Sequence, residues 1–218
     1  MMKTTVYSPF DYVTKAMDNN PKPLTREMFD SLLNDMGVKM TTEKVREHGP
    51  EADRYKRMLP GICWQSKFNG GLRTDMNAES SGFFCLDIDY HHDPHFIGLC
   101  KTEGEAAAWR WGEALARENA KRWAEMQAHI DEKPRKVADG EENDLGIVAI
   151  HVSPQNAGVH VVACCSPLCE SIEENQARLA RLLGTEYDHV CKDWARIFFV
   201  TPREDWTYLD METLFGEN

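Results

Sequence analysis

The chain has 218 residues, 42% of them apolar, enough to bury the core of one or two small domains; this excludes a disordered tail, a collagen-like fibre and a disulfide-stapled miniprotein. With 25 Lys and Arg against 36 Asp and Glu the net charge is -11, which argues against binding bulk nucleic acid by diffuse electrostatics alone, so any such contact must come from a local patch. The seven cysteines are odd in number and several sit in apolar runs, which reads as reduced thiols in a cytoplasmic protein. MMKTTVYSPF lacks an apolar signal core and no run approaches the roughly 20 apolar residues of a membrane span, so no membrane partner is expected.

In chain order, Ser8-Pro9 predicts a short helix to about Met17. Thr25 predicts a second, with Leu24 and Phe29 as a hydrophobic staple, a stripe of Phe29, Leu32, Leu33 and Met36, and Gly37 as the stop. A third is expected over about 42–48, before Gly49-Pro50. From Leu59 the texture becomes strand-like: PGICWQSKF and FFCLDIDY read as strands around a long polar loop. Residues 103–131 repeat Trp109, Gly112, Ala116, Ala120, Trp123, Met126 and Ile130 at three- and four-residue steps, the core stripe of a long helix. Residues 131–145 read as an exposed loop. GIVAIHVS and GVHVVACC around PQNA predict a β-hairpin, and a helix follows from Ser171, with a Ser171/Glu174 capping box and Gly184 at its end. ARIFFV (195–200) is expected as the last strand before a short acidic tail. The fold class this implies is α+β, helices over a mostly antiparallel sheet. Its expected organisation is a helical leader (1–55), a main domain (56–210) with a helical insert at about 93–145, and a tail (211–218).

Three segments carry chemistry. In Phe83–Asp89, strand alternation puts Asp87 and Asp89 on one face and Phe84, Leu86 and Ile88 on the other. Adjacent carboxylates repel unless a cation neutralises them, and oxygen ligands suit Mg²⁺ or Mn²⁺; the alternative is a strand end emerging into solvent. In the hairpin, Ser153 and His160, with His151, share a face around Gly158, an arrangement that either grips a phosphate or is purely structural. Third, Asp188 precedes Arg196 by eight residues, which reads either as a third acid plus a phosphate-binding guanidinium or as a surface ion pair.

Taken in order, these motifs resemble those of the archaeo-eukaryotic primase superfamily, most closely its primase-polymerase branch and the amino-terminal domains of virulence-associated protein E. The likeness runs from about Lys56, where KRMLP is similar to the family's lead-in, to about Tyr208. Two departures are Asn156, where the family often has glycine, and the large 93–145 insert. The resemblance implies a primase-polymerase-like catalytic core and nucleotidyl transfer at a two-metal centre. Asp87, Asp89 and Asp188 would hold Mg²⁺ or Mn²⁺, with Asp188 favoured over Asp193 as third acid. Ser153, Gly158, His160 and Arg196 would bind the nucleotide. The implied partners are nucleoside triphosphates, a single-stranded DNA template and a helicase or other replication protein. Lys67, Arg73, Lys192 and the Lys133/Arg135/Lys136 cluster are template-side candidates. The implied activity is a DNA primase or polymerase in replication of a bacterial genome or mobile element. Its alternatives are an inactive primase-like binding module and a metal-dependent nuclease. His91-His92-Asp93-Pro94-His95 and Cys164-Cys165-Ser166-Pro167-Leu168-Cys169 lack the paired spacing of a structural zinc site and are expected as a polar loop and buried thiols.

Overall fold

The computed structural model describes residues 8–131 and 145–216, so the Lys133/Arg135/Lys136 cluster lies outside the described residues. The chain does not begin with the expected helix. The Ser8 hydroxyl donates to the carbonyls of Phe10 and Leu24, and this tie sets β1 (Asp11–Val13) antiparallel to β2 (Lys22–Pro23). Helix α1 (Arg26–Leu33) starts where expected, the Thr25 hydroxyl accepting from the Met28 N–H and Leu24 and Phe29 both buried. Gly37 is not a stop: Asp35 caps a new helix, α2 (Met36–Arg46), that contains Gly37 in its first turn and absorbs most of the helix expected at 42–48. Met36 consequently leaves the stripe and is exposed. Helix α3 (Ala52–Lys56) leads to β3 (Gly61–Cys63).

The polar loop that follows carries a two-stranded ribbon, β4 (Ser66–Lys67) with β5 (Glu79–Ser80). Strand β6 (Phe83–Asp89) comes next, then α4 (Pro94–Thr102), begun by the Asp93 cap and Pro94, then the 27-residue α5 (Glu105–Asp131). The hairpin is β7 (Ile147–Val152) with β8 (Gly158–Cys164). Helix α6 (Ile172–Leu183) has the expected Ser171 cap, and Gly184 ends it in the left-handed conformation. The last expected strand shrinks to β9 (Phe198–Phe199), and the tail adds β10 (Trp206–Leu209) and α7 (Met211–Phe215).

Among the described residues all strand pairs are antiparallel, in the β4-β5 ribbon and two four-stranded sheets ordered β2-β1-β3-β9 and β10-β7-β8-β6, which makes the class α+β. The second sheet separates two cores. On one face Phe84, Leu86 and Ile88 join Val159 and Val161 under Trp123 of α5 and Leu179 of α6. On the other, Phe83 and Cys85 pack with Phe10, Phe29, Trp64 and Trp206. The amino-terminal strands and helices and the tail residues Leu214 and Phe215 therefore share one core with the central strands. Asp87 and Asp89 continue the Phe83/Cys85 face, at the end of β6 beyond that packing.

Candidate active site

Register fixes the neighbours of the acids. Across β6 and β8, Asp87 faces His160 and Asp89 faces Gly158; across β7 and β8, His160 faces His151. Gly158 is required here, because a Cβ at this position would lie 2.6 Å from the Ile88 carbonyl oxygen and 3.0 Å from Ser153 Oγ. The turn that precedes it holds Asn156 at φ 70°, the left-handed region in which Asn is tolerated, which accounts for an Asn in place of glycine.

Asp188 is brought to β6 by the backbone: its N–H donates to the Asp87 carbonyl at 2.8 Å. The Cys191 thiol then sits between the two carboxylates, 3.3 Å from Asp87 Oδ2 and 3.4 Å from Asp188 Oδ2. Asp87, Asp188 and Cys191 each offer a ligand atom within 4.8 Å of the other two. Asp89 does not complete this triangle; its carboxylate groups instead with His91 and His92. Asp193, the other acid weighed for the third position, ion-pairs with Arg196 at 2.8 Å.

Burial works to raise the Asp87 carboxyl, but the charge and hydrogen bonding of His160, the Cys191 thiol and the charge of Lys56 outweigh it and hold Asp87 down at about 2. The Cys191 thiol is driven the other way, up, by burial and by the Asp87 charge, so it is a neutral donor to its carboxylates. Behind Asp87 lies a chain of buried polar groups. His160 Nε2 is 3.5 Å from Asp87 Oδ1, His160 Nδ1 is 3.3 Å from His151 Nε2, and His151 Nδ1 is 3.2 Å from the Val152 carbonyl and 3.0 Å from Thr201 Oγ1. A carbonyl only accepts, so His151 carries its proton on Nδ1 and accepts from His160 on Nε2. Burial and the neighbouring His160 charge keep His151 neutral, well below the usual histidine range, and its ring stacks on Trp206 at 4.1 Å. His160, almost wholly buried, thus faces Asp87 rather than open space.

Ser153 closes the hairpin, its N–H donating to the Gly158 carbonyl at 2.9 Å. Arg196 donates to the Val190 carbonyl and Asp193, and its Nε is buried with no hydrogen-bond partner. Arg196 also lines a cavity of about 710 Å³ together with Lys56, Arg57, Arg73, Asp193 and Phe199. Lys56 links this cavity to the hairpin: its Nζ donates to Gln155 Oε1 at 2.9 Å, and its charge is felt at Asp87. Arg73 is partly committed to structure, donating to the carbonyls of Ala195 and Ala16. Lys67 and Lys192 form ion pairs with Glu79 and Glu173.

Cys191, Lys56 and Arg57 are neighbours of this group for which the motifs offered no role; His151 was expected on the Ser153/His160 face and is found facing His160. Only Cys191 carried a local signal, three residues after Asp188 in a loop; the others become neighbours through strand pairing and helix docking. Among the described residues no helix is long and apolar enough to cross a membrane. No protein-family model, curated protein or solved structure matches this chain.

Proposed function

We propose that this protein is a metal-dependent nucleotidyltransferase, a primase-polymerase-like enzyme that extends or initiates strands on a single-stranded DNA template. The observation that carries the reading is the meeting of Asp87 and Asp188, with the charge of Lys56, which lines a cavity of mixed charge together with Arg57, Arg196, Asp53, Asp75 and Asp193, felt at Asp87. Such a pairing of acids with cations fits a metal–polyphosphate complex, in which anions of the protein face the metal and cations face the phosphates.

The two carboxylates of the group fit hard divalent ions, the neutral Cys191 thiol serving as their hydrogen-bond donor. Asp87 and Asp188 would hold Mg²⁺ or Mn²⁺, with Asp89 on the same face of β6. The chemistry such ions supply is activation of an attacking hydroxyl and neutralisation of the departing pyrophosphate. His160 keeps Asp87 ionised and oriented, the neutral His151 fixes the His160 ring, and Trp206 backs His151. Lys56, Arg57 and Arg196, which line the cavity, receive phosphate oxygens. The template and any helicase or other replication partner belong to the same reading.

The test is extension of primed and unprimed single-stranded DNA with Mn²⁺ or Mg²⁺ and ribo- or deoxyribonucleoside triphosphates. Asp87→Asn and Asp188→Asn are each expected to lower product formation at least about 100-fold, the scale of losing a main electrostatic contributor to catalysis. Template bound with no product under any nucleotide condition replaces the reading with a tethering module; strand degradation replaces it with a nuclease.

A further inference from the structure

The turn that leaves β6 gathers a second set of metal-ligating groups. Asp89 ends the strand, and His91 and His92 follow in a single 3₁₀ turn, Tyr90–His92. Asp89, His91 and His92 each offer a ligand atom within 4.8 Å of the other two. The Asp89 carboxylate accepts from the His91 N–H at 3.1 Å and also contacts His91 Nδ1. The two imidazole centroids are 3.8 Å apart.

The backbone carrying these groups is anchored from below. The Tyr90 N–H donates to the Ala157 carbonyl at 2.8 Å, and the buried Tyr90 ring receives a hydrogen bond on its hydroxyl from Asn119 of α5. Above, the set opens to water: Asp89 and His91 are half-buried and His92 is exposed, leaving coordination positions for solvent or substrate. Two nitrogens and one oxygen are not the donor set of Mg²⁺, which prefers oxygen ligands, but suit a borderline divalent ion of the zinc class.

We propose that Asp89, His91 and His92 form a binding site for a divalent transition-metal ion of the zinc class, distinct from the Asp87/Asp188/Cys191 group. The two groups share no residue, and the site stands whether or not the protein makes nucleic acid.

Metal-free full-length protein is titrated with Co²⁺, whose visible absorption reports nitrogen and oxygen coordination, and Zn²⁺ and Mg²⁺ are tested as competitors. Expected are one site that Zn²⁺ empties and a 100-fold excess of Mg²⁺ does not, unchanged affinity in Asp188→Asn, and affinity at least about tenfold weaker in His91→Ala/His92→Ala, since even supporting groups around a metal contribute that much. His92→Gln, a change at an exposed position, gives the same direction of loss without threatening the fold. Absence of Co²⁺ binding, binding unchanged by both histidine variants, or a sulfur-to-cobalt charge-transfer band that disappears in Cys191→Ser would overturn the assignment.

Discussion

Asp87 gains more from folding as an anion than as an acid. Its carboxyl, ordinarily near 3.8, sits at about 2 in the folded protein, so the folded state resists protonating it. The stabilisation is fully present above about pH 4 and is lost as pH falls through about 2, amounting to about 2 kcal/mol. Denaturant unfolding followed from pH 6 to pH 2 is expected to show Asp87→Asn losing that much less stability over the acid limb than the parent. The paired acids were legible because a strand has a period of two and an apolar strand has no local reason to carry carboxylates on one face. The contact of Cys191 with Asp87 and the tautomer of His151 were not, because they depend on residues remote in the chain: Cys191 is held between acids on two different segments, and His151 Nδ1 meets Thr201 as well as the Val152 carbonyl. For Asp188 against Asp193, the spacing to Arg196 favoured the residue that the backbone bond to Asp87 brings in.

Hairpins were readable as elements and helix boundaries less so. GIVAIHVS and GVHVVACC are two apolar runs with a turn between them, and β7 and β8 form as that pattern requires. Gly158 sets how closely β8 approaches β6. Gly158→Ala places a methyl against a backbone oxygen that cannot rotate away, so an overpacking loss of about 1–3 kcal/mol is expected in equilibrium unfolding, with the Asp87–His160 register disturbed. The Ser8-Pro9 signal failed because a serine that can cap a helix can equally close a strand pair. Here Leu24 offers its carbonyl to the Ser8 hydroxyl, and β1 gains a partner in β3 that a helix would forgo. Gly37 misled similarly: Asp35, two residues earlier, caps α2 and turns an apparent terminator into a first-turn residue.

At the scale of the molecule, the α+β class followed from the alternation of helix- and strand-period segments, whereas the division into leader, domain and tail had no such local signature. Arg46 illustrates the connection. From the last turn of α2 it donates to the carbonyls of Ser153 and Pro154 in the hairpin turn and forms a 2.7 Å ion pair with Asp205 before β10. Asp205 is almost wholly buried; burial raises its carboxyl, and Arg46 and then Arg117 pull it back. Arg46→Ala leaves that charge poorly compensated, and a loss of about 3 kcal/mol is expected at neutral pH by denaturant unfolding. A raised folded-state carboxyl binds its proton more readily in the folded protein, so the deficit is expected to shrink as pH falls and Asp205 becomes neutral.

Cys191 and Asp87 touch across 104 positions of chain. A ribosome that has released β6 and even the whole hairpin has still made no complete acid–thiol group, since Asp188 and Cys191 emerge only after α6. The entropy of closing so long a loop is met by β6–β8 pairing and the packing of α6, not by the few contacts among the three side chains. Assembly of that group is therefore a late event in biosynthesis, one that a nascent chain stalled before residue 188 cannot complete.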